Sequence, residues 1–192
     1  GGWQDQIGGI SPGIKFIATT PGIHQKPTLR WLPEKILKEA FESKLIQLYY
    51  TGLTRVAYDI LGEIVKSIFL NSSHHLAILK AIGQNAEFAA DAIQRGDWQL
   101  IRESIRRSWE LNQLLDAGTN PPQMDLILRA INKFDAVYKL LGAGGGGYLL
   151  ILAPNKEAGI QIRETLISSP PNPRARFVEA EISRTGMEIT RS

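Results

Sequence analysis

Lys139-Leu140-Leu141-Gly142-Ala143-Gly144-Gly145-Gly146-Gly147-Tyr148-Leu149-Leu150-Ile151-Leu152 is the stretch on which the reading of this chain turns. Gly142, Gly144 and Gly147 satisfy G-x-G-x-x-G by counting alone. That fingerprint binds a dinucleotide only when it follows a strand and opens a helix. Here a helix and Lys139-Leu140-Leu141 come first, and the apolar run Tyr148 to Leu152, which reads as a central strand, comes after. A nucleotide-triphosphate loop is excluded too, because Tyr148 stands after Gly147 where lysine is required. What remains is a loop that needs left-handed dihedrals or close backbone approach, which glycine supplies without strain. Its successive N–H groups can form a nest for an anion. A flexible linker and a tight turn serving topology alone are the alternatives. Four consecutive glycines cost conformational entropy, which favours a functional loop.

Working outward, the chain has 192 residues, 43% of them apolar, and a net charge of +3 from 22 basic and 19 acidic residues. That length suits one ordinary domain, large enough to hold a core without a covalent or metal staple. The absence of cysteine excludes disulfides, thiolate metal sites and cysteine nucleophiles. The longest charge-free run, Leu140 to Asn155, is broken by glycines and a proline and cannot span a membrane. Acidic and basic residues are interspersed, so the basic balance does not indicate a nucleic-acid partner. The first residues, Gly1-Gly2-Trp3-Gln4-Asp5-Gln6, contain neither an initiator methionine nor a signal peptide, so a C-terminal piece of a longer polypeptide is expected.

Period-two alternation predicts strands over 14–18 and 29–32, the first closed by a turn at Pro21-Gly22, and Leu45 to Tyr50 reads as a buried strand. Pro33 suits the first turn of a short helix through Phe41. A helix with Val56, Ile60, Ile64 and Ile68 on one row follows, ended by Asn71-Ser72-Ser73. The next helix carries Leu76, Leu79, Ile82, Ala86, Ala90 and Ile93 inward and stops at Gly96. Asp97 caps a third bearing Trp98, Ile101, Ile105 and Trp109, and Pro121-Pro122 opens a fourth. A helix over 155–167 and a terminal hairpin from 177–182 and 187–190 complete the pattern. Strands segregated from a run of helices mean α+β with an antiparallel sheet and a helical layer.

Lys139 to Gly147 resembles the third conserved motif of the GHMP small-molecule kinases, and Gly1 to Gln6 resembles the Asp-Gln segment of their sugar-1-kinase branch. Within that branch, Leu48-Tyr49-Tyr50-Thr51-Gly52-Leu53-Thr54-Arg55, Gly118-Thr119-Asn120-Pro121-Pro122 and Pro171-Asn172-Pro173-Arg174-Ala175-Arg176-Phe177-Val178 resemble the C-terminal part of the L-fucokinases. Those kinases can be fused to a fucose-1-phosphate guanylyltransferase. The resemblance runs from Gly1 to Ser192 and implies the C-terminal, ferredoxin-like domain of a cytoplasmic kinase that moves the γ-phosphoryl of ATP·Mg2+ to the anomeric hydroxyl of L-fucose, toward GDP-fucose.

By that resemblance Asp5 is the carboxylate that orients or deprotonates the sugar hydroxyl, and Trp3 and Arg55 are substrate-binding candidates. Gly142, Gly144, Gly145, Gly146 and Gly147 support the phosphate site, with Lys139 as an electrostatic candidate, and Gly52 permits a sharp strand-to-helix turn. No residues of a metal site are assigned. The family's Pro-x-x-x-Gly-Leu-Gly-Ser-Ser loop, which wraps the phosphates, has no counterpart in the 192 residues. The piece alone is therefore expected to be inactive, with sugar and ATP engaged through an N-terminal half. Alternatives are a kinase of heptose 7-phosphate type, which shares the Asp-Gln, Tyr-Thr-Gly and glycine motifs, and a non-catalytic interaction module. His74-His75 lacks a third metal ligand at a recognised spacing. Trp98 and Trp109 read as core, Arg174 and Arg176 as solvated at a strand edge, and Glu179 and Glu181 as pointing to solvent.

Overall fold

The apolar runs at 45–50 and 148–152 find each other across the chain. The computed structural model describes residues 3–20, 24, 26–53, 62, 73–142 and 144–188, with only the backbone described for Trp3, Gln4 and Asp5. β3 (Ile46–Tyr50) and β5 (Tyr148–Leu152) pair antiparallel, Ile46 opposite Leu152 and Tyr50 opposite Tyr148. β4 (Val137–Leu140) pairs with the free edge of β5, and β6 (Arg176–Val178) with that of β3, giving the order β4-β5-β3-β6. β1 (Lys15–Ala18) and β2 (Thr28–Trp31) form a separate antiparallel pair.

Alternation along the strands sends side chains to two apolar layers. Tyr49, Leu149 and Ile151 pack with Ile127 and Ile131 of α5 (Asp125–Asn132) and Ile162 of α6 (Lys156–Ser168). Ile46, Val137 and Leu152 pack with Ala40 of α2 (Lys35–Glu42), Ala92 of α3 (Ser73–Arg95) and Ile101 of α4 (Trp98–Leu115). The α+β class with an antiparallel sheet stands, and helices cover both of its faces.

Local signals set most helix ends. Asp97 accepts hydrogen bonds from the N–H groups of Gln99 and Leu100, and Asn155 from that of Ala158, so both helices start at a side-chain cap. Gly96, in the left-handed region, ends α3. Trp109 is buried, and the half-buried Trp98 donates its indole N–H to Ala153 O at 3.1 Å.

Five expectations need correction. Residues 3–10 form a helix, α1 (Trp3–Ile10), where the sequence reads as a loop. Gly8 and Gly9 depress helix propensity there, but Ile7 is buried and the C-terminal segment closes the helix end through Met187 N–H to Ile10 O. Pro33 lies outside the first turn of α2, which begins after Glu34. β4 was hidden from the sequence because its four residues, Val-Tyr-Lys-Leu, are too short to show a period. In α3, Leu76 and Ala86 are exposed, whereas Ile78, Asn85 and Ala92 are buried. Alanines scattered around that helix leave its inward direction to the packing of α3 on α4, where Asn85 donates to Ser104 O. No hairpin forms over 177–188 among the described residues: only Arg176–Val178 is a strand, and it pairs with β3 instead. All but Gly62 of the helix expected over Val56–Phe69, the turn at Pro21-Gly22 and Thr190 lie outside the described residues.

Two ties hold the helical layers to the sheet. Arg102, on α4 and only 4% exposed, bonds the backbone carbonyl of Asp135 and, at 2.8 Å, its carboxylate, fixing the left-handed turn that leads into β4. Gly159 on α6 lies against β3: the buried Gln47 amide donates to Gly159 O at 2.8 Å. A Cβ at position 159 would sit 2.3 Å from Lys44 O. Glycine to alanine inside a helix ordinarily stabilises by about 1 kcal/mol. Here the sign reverses: Gly159→Ala is expected to cost about 1–3 kcal/mol from overpacking, measured by urea unfolding.

Candidate functional site

Four stretches that are distant in sequence meet at one end of the sheet. β3 runs into Thr51-Gly52-Leu53, α4 into the turns at 116–122, β4 and β5 enclose the glycine loop, and the 171–175 segment leads into β6. Thr51 is fully buried, and both its N–H and its hydroxyl donate to Gly147 O at 2.9 Å. Gly147 N–H donates to Leu53 O at 2.9 Å, and Gly145 N–H to Thr119 O at 2.8 Å. Asn172 closes the ring. Its amide donates to Thr51 O at 2.8 Å, while its side-chain oxygen accepts from the N–H groups of Arg174 and Ala175.

The glycines are required by this docking. Gly142, Gly144, Gly145, Gly146 and Gly147 all have positive φ. A Cβ at Gly144 would lie 2.8 Å from Thr119 O, and one at Gly146 would lie 2.7 Å from Leu53 O. The loop thus needs both left-handed dihedrals and close approach, as its composition implies. The N–H groups of Gly145 and Gly147 are engaged by protein carbonyls, so these two do not contribute to an anion nest in this arrangement. The loop is a hairpin between two strands rather than a link from helix to strand. Gly52 is left-handed at the end of β3, with Asn172 packed where its Cβ would be.

Between these segments lies a cleft of about 530 Å³, lined by Leu53, Gly118, Asn120, Pro121, Gly145 and Arg174 among others. Arg174, expected as solvated at a strand edge, is exposed just before β6 and is also among the residues lining this cleft. Asn120 donates to Gln113 Oε1, and its own buried side-chain oxygen has no partner among the described residues. Among the described residues the lining contains no carboxylate and no imidazole. These residues can hold a polar ligand but offer no group to take a proton from it.

The sequence-expected residues fall in different places. Trp3 and Asp5 stand in the first turn of α1, with their side chains outside the described structure, as is Arg55 altogether. Lys139 is not part of the cleft lining. It reaches α4, where its ammonium donates to Ser108 Oγ at 2.5 Å, and burial lowers its pKa from the usual lysine value. Arg176 lies over the Tyr50 ring, 5.1 Å from its centre. His74 and His75 open α3, and no group of three metal-ligating side chains occurs among the described residues. Thr51, Thr119, Asn120 and Asn172 carry the geometry but had no chemical signal of their own. Only the Pro-Asn-Pro context of Asn172 hints at a side-chain-capped turn.

A second groove, of about 720 Å³, runs between α2 and residues 179–185. Its charges are mixed, and Glu179 pairs with Lys44 at 3.3 Å and Arg163 at 2.9 Å. The hydrogen bond and charge of Lys44, helped by Arg163, hold the Glu179 carboxyl below the usual carboxylate range. It is a solvated ion-pair surface that shares no lining residue with the cleft.

With the geometry in place, likeness to known proteins can be weighed. Residues 89–172 match the family model described as GHMP kinases C terminal. Over all 192 residues the chain is 45% identical to an L-fucokinase/L-fucose-1-P guanylyltransferase of Bacteroides fragilis, of which it spans 20%. It is 30% identical over 167 residues, 86% of its length, to a bifunctional fucokinase/GDP-fucose pyrophosphorylase of Arabidopsis thaliana, spanning 16% of that protein. A D-glycero-alpha-D-manno-heptose 7-phosphate kinase of Campylobacter jejuni is 25% identical over 163 residues, 82% of this chain and 46% of its own. The chain thus covers less than half the length of each of these relatives. In fold, L. major mevalonate kinase aligns over 84% of this chain and 47% of its own, with a TM-score of 0.62 at 15% identity. Within the chain, residues 89–172 are the part that carries the C-terminal domain of the GHMP kinases.

Proposed function

We propose that residues 1–192 serve as the C-terminal part of a larger, cytoplasmic sugar kinase that phosphorylates the anomeric hydroxyl of L-fucose. The observation that carries this reading is the 45% identity, unbroken over the full chain, to a bacterial protein named for fucokinase activity. The meeting of Thr51-Gly52-Leu53, Gly118-Thr119-Asn120, the glycine loop and Asn172 around one cleft supports it, because these are the stretches that resemble the fucokinases. A heptose 7-phosphate kinase reading is favoured only by the more distant Campylobacter jejuni relative.

In this reading the cleft holds the sugar, and Asp5 accepts the proton of the anomeric hydroxyl as its oxygen bonds to phosphorus. A carboxylate from α1 supplies what the cleft lining lacks. Trp3 would stack on the sugar ring and Arg55 would bind substrate. The phosphoryl donor is ATP with Mg2+, as the family resemblance implies. Residues 1–192 do not fit that donor by themselves. Two of the loop N–H groups are engaged, the sequence has no glycine-serine phosphate loop, and the described residues have no metal-ligating cluster. The donor site is assigned to another segment of the larger protein.

In the intact polypeptide, Asp5→Asn is expected to lower kcat with L-fucose by about 10²–10⁴-fold, with KM changed far less. Phosphorylation at a near wild-type rate would remove Asp5 from the chemistry. A sugar panel separates the two kinase readings: L-fucose is expected to be turned over and heptose 7-phosphate not. Residues 1–192 alone are expected to show no turnover, and steady formation of fucose 1-phosphate by them would overturn the division of the site.

A further inference from the structure

Lys139 presents a problem the kinase reading does not absorb. It is a half-buried lysine on β4, and among the described residues no carboxylate lies within 4.0 Å of its ammonium. Its partners are neutral and both lie on α4. It donates to Ser108 Oγ at 2.5 Å. With the Asn112 amide turned as its hydrogen bonds require, it also donates to Asn112 Oδ1 at 3.2 Å, while that amide's nitrogen donates to Ser108 O at 3.1 Å. Taking a lysine out of water for two neutral acceptors is costly, so the arrangement calls for a purpose beyond packing.

From Asn112 the contacts continue toward the cleft. Asn112 O accepts from Asp116 N–H at 3.0 Å and from the Thr119 hydroxyl at 3.3 Å. The Asp116 carboxylate accepts from Gly118 N–H at 2.6 Å, and Asp116 O from Thr119 N–H at 3.1 Å. Thr119 O then accepts from Gly145 N–H at 2.8 Å. The path leaves β4 at Lys139, crosses α4, descends the 116–119 turn and returns to the loop that follows β4. It passes through Gly118 on one wall of the cleft and ends at Gly145 on the other.

We propose that Lys139 is a positioning residue: its ammonium, through Ser108 and Asn112, sets the spacing between the 118–121 wall of the cleft and the glycine loop. It acts on the ligand through that spacing and not as a phosphate-binding cation. The Gly147 N–H bond to Leu53 O lies outside this path, which makes it an internal reference.

The test uses the intact polypeptide and two readouts. In residue-resolved hydrogen exchange, Lys139→Met is expected to speed exchange at the Gly145 amide by about tenfold or more and leave Gly147 nearly unchanged. Ser108→Ala, a milder change that keeps the ammonium, is expected to move the same amide in the same direction. Equal exchange at Gly145 in wild type and both variants would overturn the strut. A uniform rise at Gly145 and Gly147 would reduce Lys139 to general stability and overturn it as well.

The second readout, which rests on the kinase reading, is turnover. Lys139→Met is expected to lower kcat/KM for the sugar about tenfold at a temperature where it is fully folded, and Lys139→Arg to restore much of the loss. Unchanged kcat/KM together with faster Gly145 exchange would overturn the role in positioning. A wild-type polypeptide that phosphorylates no sugar would defeat the kinase reading alone, because the exchange result does not depend on any reaction.

Discussion

The backbone of the glycine loop is the constraint on which this end of the molecule depends. Gly145 and Gly147 give their N–H groups to Thr119 and Leu53, and Thr51 returns two hydrogen bonds to Gly147 O. Together these join the turn after β3 and the turn after α4 to the β4–β5 hairpin. Backbone groups this close to the core must be paired, and only residues without a Cβ allow the carbonyls of Thr119 and Leu53 to come near enough. The loop therefore acts as a hub. The turn after β3, the turn after α4 and, through Asn172, the approach to β6 take their positions from it.

This arrangement gives the glycine run a reason different from the one its composition suggests. A nest of free N–H groups would hold an anion directly. A hub in which the Gly145 and Gly147 N–H groups are engaged by protein carbonyls shapes a cleft, with Arg174 among the residues that line it. The lining sharpens the chemical requirement as well. Among the described residues it offers amides, prolines and one guanidinium, which suit a polar ligand but include no group to take a proton. The proposed role of Asp5 would supply such a group.

The fold was largely legible where a local signal existed. Asp97 and Asn155 start their helices by capping, Gly96 ends one, and the apolar runs at 46–50 and 148–152 are central strands. The failures share one cause, which is that local preference was weak and distant contacts decided. Gly8 and Gly9 made α1 look like a loop, the brevity of β4 hid its period, and the direction of α3 came from α4. The alternating residues after Val178 had the pattern of a hairpin but no partner strand of their own. Part of that segment instead seals the end of α1.

For the site, the residue types that carry chemistry were visible and their arrangement was not. The sequence by itself determined that a glycine loop would need left-handed backbone and close approach, that cysteine and dinucleotide chemistry were absent, and that the motifs belonged together in one order. These follow from the identity of single residues and short spacings. Only the tertiary structure decided that the N–H groups of Gly145 and Gly147 are spent on protein carbonyls, that Lys139 reaches α4, and that Arg174 lines the cleft. Those outcomes depend on which segments meet, and a backbone amide or a long cationic side chain is committed only when a partner from elsewhere in the chain arrives.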